Sequence, residues 1–465
     1  MRCFELGAHD AYFDLAKQVN PVWLKWLHAR LLTGIVHRPN LRRALINVFW
    51  LIGDKVLRMG VGLLVGVWVA RYLGPEQFGI LNYAMAFVAL FGVFAGLGLN
   101  GVVVRDLVTN PGSANETLGT TFLLQFLGGW LSFGLVVFAI NFARPDDSMT
   151  KLLVAVLGFA IVLKCTDVVR YWFEFKVQSK YVVWMENGIF LVLAIVKGAL
   201  ILMGAPLMAF VWAAFVESAL VAVGLLVVYV WRAGGLGAWR IRFGRAKELL
   251  NDSWPLILSG LAIMVYMRID QIMLGQMLGD ESVGIYSAAV RISEVWYFIP
   301  MTIVASVFPS IVTTRKLSEQ LYHQRLQNLY NTMVTLALGV ALPMTFFSGW
   351  VVNLLFGSAY AEAGPVLALH VWSALFVFLG VASGSGYLTE HLQMLALGRT
   401  LLGAFVNLLA NYILIPSFGI LGAAMGTLVA QMSAAYLFDL FHPKTRKHFW
   451  MKTKSFVSFY RVSFK

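Results

Sequence analysis

The chain has 465 residues, of which 59% are hydrophobic and only 13% are charged, and its mean hydropathy is +0.76. Soluble globular domains carry about 25% charged residues, so this composition excludes a soluble enzyme and a DNA-binding domain. The sequence instead predicts an integral membrane protein. We expect the net charge of +13 to orient helices and to contact anionic membrane lipids rather than nucleic acid.

The N-terminal segment, residues 1–43, lacks the apolar core that a signal peptide needs. Its apolar residues recur at helical spacing, which predicts an amphipathic helix in the membrane interface, with a flexible cytoplasmic tail as the alternative. These apolar residues are Val22, Trp23, Trp26, Leu27 and Leu31.

About twelve apolar runs follow, each long enough to cross a hydrocarbon core of about 30 Å as a helix. They are continuously apolar rather than alternating, which argues against a β-barrel. The runs of the first half are 44–70, 78–104, 118–142, 152–169, 181–202 and 207–231. The runs of the second half are 254–278, 284–312, 330–356, 365–387, 393–415 and 419–440. The predicted fold is therefore all-α, with about twelve transmembrane helices.

Lys and Arg outside these runs are distributed unevenly between the two sides. The termini and even-numbered loops hold 27 of them, with Arg399 near the start of run 393–415 counted in the loop before it, whereas the odd-numbered loops hold only Arg71, Arg144 and Lys151. By the positive-inside rule, both termini face the cytoplasm. The predicted organisation is an N-terminal segment, a first six-helix lobe, a basic cytoplasmic linker, a second six-helix lobe and a basic cytoplasmic tail, at 1–43, 44–231, 232–253, 254–440 and 441–465.

An internal repeat relates the two halves. LGPEQFGILNYA at 73–84 recurs as LGDESVGIYSAA at 278–289, an offset of 205 residues. Six runs separate the copies, so the lobes share one orientation and are related by an axis along the membrane normal, as in transporters built from two parallel repeats. Such a repeat predicts a cavity between the lobes. The short loops leave no room for a catalytic domain, and two cysteines, Cys3 and Cys165, provide neither a disulfide framework nor a metal site.

Charged residues inside the apolar runs are the best guide to a site, because each costs about 2.5 to 3.5 kcal/mol at a helix centre unless it meets water or a partner. Four cations lie near the middle of equivalent helices, and we expect them to bind an anionic substrate, since guanidinium and ammonium groups pair strongly with phosphate. They are Lys55, Arg58, Arg268 and Arg291. The alternative is structural pairing between helices, which we favour for Arg170, Glu174 and Glu186 near the ends of runs.

Acidic residues in the same helices have two open roles. Asp54, Asp270 and Glu294 are candidates for a coupling site that titrates or binds a cation, or for counter-ions that hold nearby Arg side chains. We expect no cofactor and leave proton or sodium coupling open. His370 lies alone in an apolar helix and is expected to be a hydrogen-bonded interior histidine rather than a ligand.

Two stretches carry a family resemblance. WVARYLGPEQFGILNYAMAF at 68–87 and RIDQIMLGQMLGDESVGIYSAAVRISEVWYFIP at 268–300 resemble the polysaccharide-export branch of the multidrug/oligosaccharidyl-lipid/polysaccharide exporter superfamily, whose members include O-antigen flippases. The resemblance implies two six-helix lobes in a V shape like that of the multidrug (MATE) exporters, and a cationic central cavity. It also implies movement of undecaprenyl-diphosphate-linked oligosaccharide from the cytoplasmic to the outer leaflet of the bacterial inner membrane.

The leading hypothesis is therefore a flippase rather than an enzyme, with a lipid-linked oligosaccharide as substrate and polysaccharide assembly proteins as further partners. One alternative is a cation-coupled multidrug exporter of the same superfamily, which should have an acidic cavity. The other is a non-transporting scaffold of a polysaccharide assembly complex.

Overall fold

The computed structural model describes the backbone of residues 39–458 and the side chains of Lys55 and residues 57–458. The predicted interfacial helix, Cys3 and the side chain of Asp54 lie outside these described residues. Throughout 39–458 the regular structure is helical, as expected from the sequence.

The helices of the first half are α1 (Pro39–Gly96), α2 (Leu99–Thr109), α3 (Ala114–Ala143), α4 (Ser148–Val162), α5 (Val168–Phe175), α6 (Lys180–Leu202) and α7 (Leu207–Ala233). The helices of the second half are α8 (Phe243–Met277), α9 (Asp280–Glu294), α10 (Phe298–Leu317), α11 (Glu319–Phe356), α12 (Ala363–His370), α13 (Ser373–Thr389), α14 (Gln393–Phe418), α15 (Ile420–Met432), α16 (Phe438–Phe441) and α17 (Arg446–Ser458).

Within residues 39–458, eleven helical segments are long and apolar enough to cross a membrane. The first of them, Leu57–Thr109, has 53 residues and breaks at Gly74, whose φ of 74° and ψ of 171° are not helical. Pro75 then starts a new helix, because its missing N–H is not needed in a first turn. This segment supplies two crossings, so the prediction of about twelve transmembrane helices is confirmed.

The same turn recurs in the second half. Gly279, 205 residues after Gly74, has a φ of 93° and a ψ of 176° and precedes α9. Glycine is suited to this backbone conformation because it has no Cβ. The sequence repeat is therefore also a repeat of backbone geometry.

The two halves share one hydrophobic core at the end of the molecule where these turns lie. Val69 and Phe78 of the first half and Tyr286 and Tyr360 of the second are among its buried residues. Burial of apolar side chains in a common core holds the two halves together at this end, which we call the joined end.

At the opposite end each half has a core of its own. One contains Leu99, Val168 and Leu225 of the first half together with Leu249 from the start of α8, and the other contains Leu326 and Phe378 of the second half. Two lobes that share a core at one end and have separate cores at the other form a V. By the Lys and Arg distribution, the joined end is predicted to face outward.

Helical structure extends into both segments that the sequence analysis predicted as basic connections. Helix α8 begins at Phe243, inside the predicted linker, and Arg105 of α2 forms an ion pair with Asp252 of α8. In the predicted tail, α17 packs against the second lobe, and its Lys452 is fully buried in an ion pair with Asp439 at 2.7 Å.

Candidate substrate cavity between the lobes

A cavity of about 430 Å³ lies between the lobes. Arg58 of α1, Arg268 of α8 and Arg291 of α9 line it together with Glu294. Three of the four predicted substrate-facing cations thus converge from three helices and from both halves. The three arginines exceed the single lining carboxylate by two charges, which makes the wall cationic.

Arg58 is held in place by the carboxylate of Glu186 on the neighbouring helix α6. Its Nη2 donates to Oε2 of Glu186 at 2.9 Å, and the other carboxylate oxygen of Glu186 is 3.0 Å from Nη2 of Arg170. The Arg58 guanidinium also lies 5.7 Å from the ring centroid of Phe190. Because the Glu186 side chain is only 8% exposed, it is an interhelical partner, and the structural role predicted for Glu186 and Arg170 is confirmed.

Arg291 has a different environment from the other two arginines. Its guanidinium lies 5.6 Å from the ring centroid of Phe78, and a Cβ on Gly66 would lie 1.8 Å from its Nη1. Glu294, one turn further along α9, is instead 3.7 Å from Nη2 of Arg268. Among the described residues no carboxylate forms a salt bridge with Arg291. Gly66 therefore makes room for a guanidinium that can bind an anion.

Uncharged polar side chains complete the cavity wall. Asn82, Gln271 and Ser287 line it, and the sequence analysis did not predict them. Asn82 and Ser287 are 205 residues apart, so they occupy the same position of the repeat. That offset is the signal by which the sequence could have revealed them. Amide and hydroxyl groups at these positions can donate to sugar or phosphate oxygens.

The remaining predicted site residues lie elsewhere. The side chain of Lys55 is exposed and is not among the residues that line the cavity. Asp270 is buried in the second lobe and accepts a hydrogen bond from Tyr286 at 2.8 Å, so it does not act as a counter-ion to arginine in this structure. His370 is 2% exposed and bonds Ser293 through Nδ1 at 3.0 Å, which confirms the predicted interior role.

A second cavity, of about 550 Å³, lies inside the first lobe. Lys164, Asp167, Arg170 and Glu217 line it, and Glu217 is 2.8 Å from Lys197. Arg170 and its partner Glu186 lie between this cavity and Arg58 of the substrate cavity. Of the charged residues that line this cavity the sequence analysis named only Arg170, and it did not predict that they surround one space.

Two helical lobes, twelve crossings and a cationic cavity between the lobes define a multi-pass membrane protein of transporter architecture. The chain belongs to the polysaccharide biosynthesis protein family, whose model matches residues 44–315. The predicted membership in the polysaccharide-export branch of the superfamily is thereby confirmed.

Known proteins agree with this assignment. The probable low-salt glycan biosynthesis flippase Agl15 of Haloferax volcanii is 24% identical over 384 residues, which cover 80% of this chain and 78% of that protein. An inward-facing multidrug resistance MATE transporter superposes with a TM-score of 0.68 at 13% identity, over 88% of this chain and 96% of its own. The lipid II flippase MurJ superposes with a TM-score of 0.66 at 13% identity, over 90% and 92%. The two solved structures show that the fold is the MATE-like V.

Proposed function

We propose that the chain is a flippase that moves undecaprenyl-diphosphate-linked oligosaccharide from the cytoplasmic to the outer leaflet of the bacterial inner membrane by alternating access. The observation that carries the proposal is the convergence of Arg58, Arg268 and Arg291 on one cavity between the lobes. Guanidinium groups bind phosphate oxygens through paired, charge-assisted hydrogen bonds. The name of the Haloferax volcanii relative, a glycan biosynthesis flippase, supports the same substrate class.

The shape of the molecule supports the direction of transport. The lobes are joined at the end that the positive-inside rule predicts to face outward, and have separate cores at the other end. A diphosphate head group would enter between the lobes from the cytoplasmic side while its isoprenoid tail stays in lipid. Rocking of one lobe against the other would then open the cavity outward.

The basic linker and tail are the surfaces we propose for contact with anionic lipids. Arg240 and Arg242 are exposed and lie just before α8 begins, on the predicted cytoplasmic side. Each Lys or Arg near an anionic leaflet contributes about 1 kcal/mol of attraction. Polysaccharide assembly proteins, the other expected partners, would have to dock on the same side to deliver a newly made glycolipid.

Reconstitution of the purified protein in vesicles tests the proposal directly. The vesicles contain a fluorescent lipid-diphosphate oligosaccharide, and its arrival in the opposite leaflet is measured by a membrane-impermeant quencher. We expect translocation by the wild type, strong loss with Arg291→Ala, and none in protein-free vesicles. Lys180→Ala is the matched control, because it removes one cation from the exposed start of α6.

Three outcomes would reject the proposal. Wild-type protein that moves no glycolipid would contradict it, and so would transport of cationic drugs without glycolipid, which would indicate the multidrug exporter. Glycolipid movement that is unaffected by Arg291→Ala, Arg58→Ala and Arg268→Ala would show that the cavity is not the route. The cationic wall of the cavity favours the flippase over the drug exporter.

A further inference from the structure

The C-terminal helix α17 and the first turns of α11 enclose a polar pocket on the predicted cytoplasmic side. Its volume is about 520 Å³, within the range of small-ligand sites, and it shares no lining residue with the substrate cavity. Among the described residues that line it, none is acidic and all but Met451 are polar. The pocket is therefore a separate site with a positive wall.

Helix α17 is anchored firmly enough to form one wall of a site. Its Lys452 donates to the carboxylate of Asp439 at 2.7 Å, and Nδ1 of His448 bonds the hydroxyl of Tyr330 at 2.9 Å. Lys452 and His448 are four residues apart on one face of the helix, and both are 0% exposed. Because this face is fixed to the second lobe, the neighbouring face of α17 holds a fixed position opposite α11.

A buried amide that lines the pocket has a donor without an acceptor. Asn331 is 4% exposed, and its Oδ1 accepts hydrogen bonds from Nε2 of Gln327 at 3.0 Å and from Oγ of Ser458 at 3.3 Å. The same Nε2 of Gln327 lies 2.9 Å from the carbonyl oxygen of Met451 on α17. These bonds fix the Asn331 oxygen, but Nδ2 of Asn331 donates to no atom of the described residues. Since buried polar groups are normally paired, the pocket lacks an acceptor at this position.

Two lysines on the pocket face of α17 supply the positive charge. Lys447 and Lys454 both line the pocket, and seven residues place them on the same side of the helix, two turns apart. Glu390 is 3.5 Å from Nζ of Lys447, whereas no carboxylate within the described part of the chain forms a salt bridge with Lys454. Lys454 is therefore the cation that is available to an anionic ligand.

The lining groups identify the chemical class of that ligand. The ammonium group of lysine binds phosphate as a compact point charge, and amide side chains both donate and accept hydrogen bonds, as free hydroxyl groups require. His323 is the one aromatic side chain among the described lining residues, so the pocket offers a nucleotide base little surface for stacking. A phosphate ester that carries free hydroxyls, such as a glycerol phosphate group, matches these features.

The adjacent face of α17 indicates that the pocket lies at the membrane surface. Trp450 is 60% exposed and Val457 is 75% exposed. Each follows a pocket lysine by three residues, which places it about 60° around the helix from that lysine. Tryptophan is enriched where a membrane meets water. This pattern puts the pocket beside the headgroups of the phospholipids.

We propose that the pocket between α11 and α17 binds an anionic phosphate ester, with Lys454 and the Asn331 amide in contact with the phosphate. Glycerol phosphate reaches such a site either as the headgroup of phosphatidylglycerol or as a free solute. A bound phosphate connects α11 to α17 and so stabilises the cytoplasmic end of the second lobe. Binding at this site does not depend on whether the protein is a flippase.

Thermal unfolding of the purified full-length protein in a neutral detergent tests the site. Tryptophan fluorescence is followed with phosphatidylglycerol added to the micelles, with phosphatidylcholine as the lipid control, and separately with free glycerol phosphate at constant ionic strength. A ligand that binds only the folded state raises the Tm in a saturable manner. We expect this response to phosphatidylglycerol and not to phosphatidylcholine. An equal response to free glycerol phosphate would identify a solute as a second source, and its absence would identify the lipid as the source.

Variants assign the response to the pocket. Lys454→Ala should weaken phosphatidylglycerol binding roughly 10-fold, because a hydrogen bond to a charged group is lost. Asn331→Asp keeps the side-chain shape but places a carboxylate beside the phosphate, and should abolish the response. Lys454 is exposed, so Lys454→Ala decides the matter where Asn331→Asp fails to fold. The matched control is Lys444→Ala, which removes an exposed cation of the same tail that does not line the pocket.

Three results would overturn the proposal. A Tm that rises equally with phosphatidylglycerol and phosphatidylcholine would show a general effect of lipid. Equal weakening by Lys454→Ala and Lys444→Ala would show attraction to the basic tail as a whole rather than binding in the pocket. No response to phosphatidylglycerol or to glycerol phosphate would show that the pocket does not bind this class. Because no glycolipid is present, none of these results bears on whether the protein is a flippase.

Discussion

Gly79 and Gly284 pack backbone against backbone where the two lobes meet. A Cβ on Gly79 would lie 1.7 Å from the carbonyl oxygen of Asp280, and a Cβ on Gly284 would lie 1.9 Å from the carbonyl oxygen of Pro75. The two glycines are 205 residues apart, as are Pro75 and Asp280. The two contacts are therefore related by the internal repeat. The repeated motif lies where the two lobes are joined.

We expect Gly79→Ala to separate the lobes at the joined end. Carbon and oxygen atoms make contact at about 3.3–3.6 Å, so a Cβ 1.7 Å from the Asp280 oxygen must push the backbones apart. Spin labels at D146C and E362C, which lie in exposed loops at the joined end of the two lobes, should report a longer distance by electron paramagnetic resonance.

The labels are introduced after Cys3 and Cys165, the two cysteines of the chain, are replaced by serine. Gly101→Ala is the control, since a Cβ there meets nothing within 4 Å. Gly284→Ala should behave like Gly79→Ala by the symmetry of the contact. A distance that stays at its wild-type value in both variants would show that these glycines do not hold the lobes together.

Arg144 forms an ion pair across the joined end. Its Nη1 and Nη2 bind the carboxylate of Asp280 at 2.8 Å and 2.6 Å, and its guanidinium lies 3.9 Å from the ring centroid of Tyr83. Burial lowers the pKa of Arg144, but its hydrogen bonds to Asp280 raise the pKa above its ordinary value. The guanidinium therefore keeps its charge over the whole pH range of an experiment.

Loss of this ion pair should favour opening of the joined end. A double-mutant cycle with Arg144→Ala and Asp280→Asn should give a coupling energy of about 1–3 kcal/mol in thermal or denaturant unfolding. In the spin-label experiment each single variant should lengthen the distance, and the double variant should add little more. Additive effects of the two changes would refute the pairing.

The cavity geometry predicts which cations matter for transport. Arg291→Ala and Arg268→Ala should each lower the rate of glycolipid translocation roughly 10- to 100-fold, because a hydrogen bond to a charged group contributes about 1.5–3 kcal/mol. Lys55→Ala should keep most of the rate, since the exposed Lys55 side chain does not line the cavity. If Lys55→Ala and Arg291→Ala lowered the translocation rate equally, this cavity would not be the substrate site.

Glu390, between the membrane-spanning segments of α13 and α14, predicts a pH dependence of stability. Burial raises its pKa, but the hydrogen bond and charge of His448, the hydroxyl of Tyr322 and the charge of Lys447 outweigh burial and lower the pKa from 4.5 to about 2. A carboxylate with a lowered pKa stabilises the fold above its unfolded pKa, and this stabilisation is lost as the pH falls from 4.5 towards 2.

The free energy of unfolding of the wild type should therefore fall between pH 5 and pH 3 by on the order of 1–2 kcal/mol more than that of Glu390→Gln. Chemical unfolding in detergent at several pH values measures the difference. Glu319→Gln is the control, because its carboxylate is 81% exposed. Parallel pH profiles for wild type and Glu390→Gln would rule out the lowered pKa.

Much of the architecture follows from the sequence alone. Apolar runs of about 20 residues have only the helix available to them in a bilayer, because every backbone group must be satisfied within its own segment. The repeat around Gly74 and Gly279 shows the parallel relation of the lobes, since glycine is needed where the backbone takes a positive φ. These are local or periodic properties, which a sequence displays directly.

The choice between neighbouring charges required the tertiary structure. Lys55 and Arg58 are three residues apart on α1, and their side chains therefore leave the helix within about 60° of each other. The spacing therefore does not show which of the two side chains lines the cavity. The packing of α6 decides it, because Glu186 and Phe190 hold Arg58 at the cavity. Position along one helix is encoded locally, whereas the neighbours on other helices are not.

The sequence by itself determined the helices, their number, the repeat and the positive charge within the membrane. Hydropathy, charge and glycine spacing are properties of single residues and of their positions along the chain. Only the tertiary structure decided that Arg58, Arg268 and Arg291 line one cavity and that Asn407 and Asn411 of α14 lie beside Asp270 of α8. Residues more than a hundred positions apart become neighbours through helix packing, and no local pattern records such contacts.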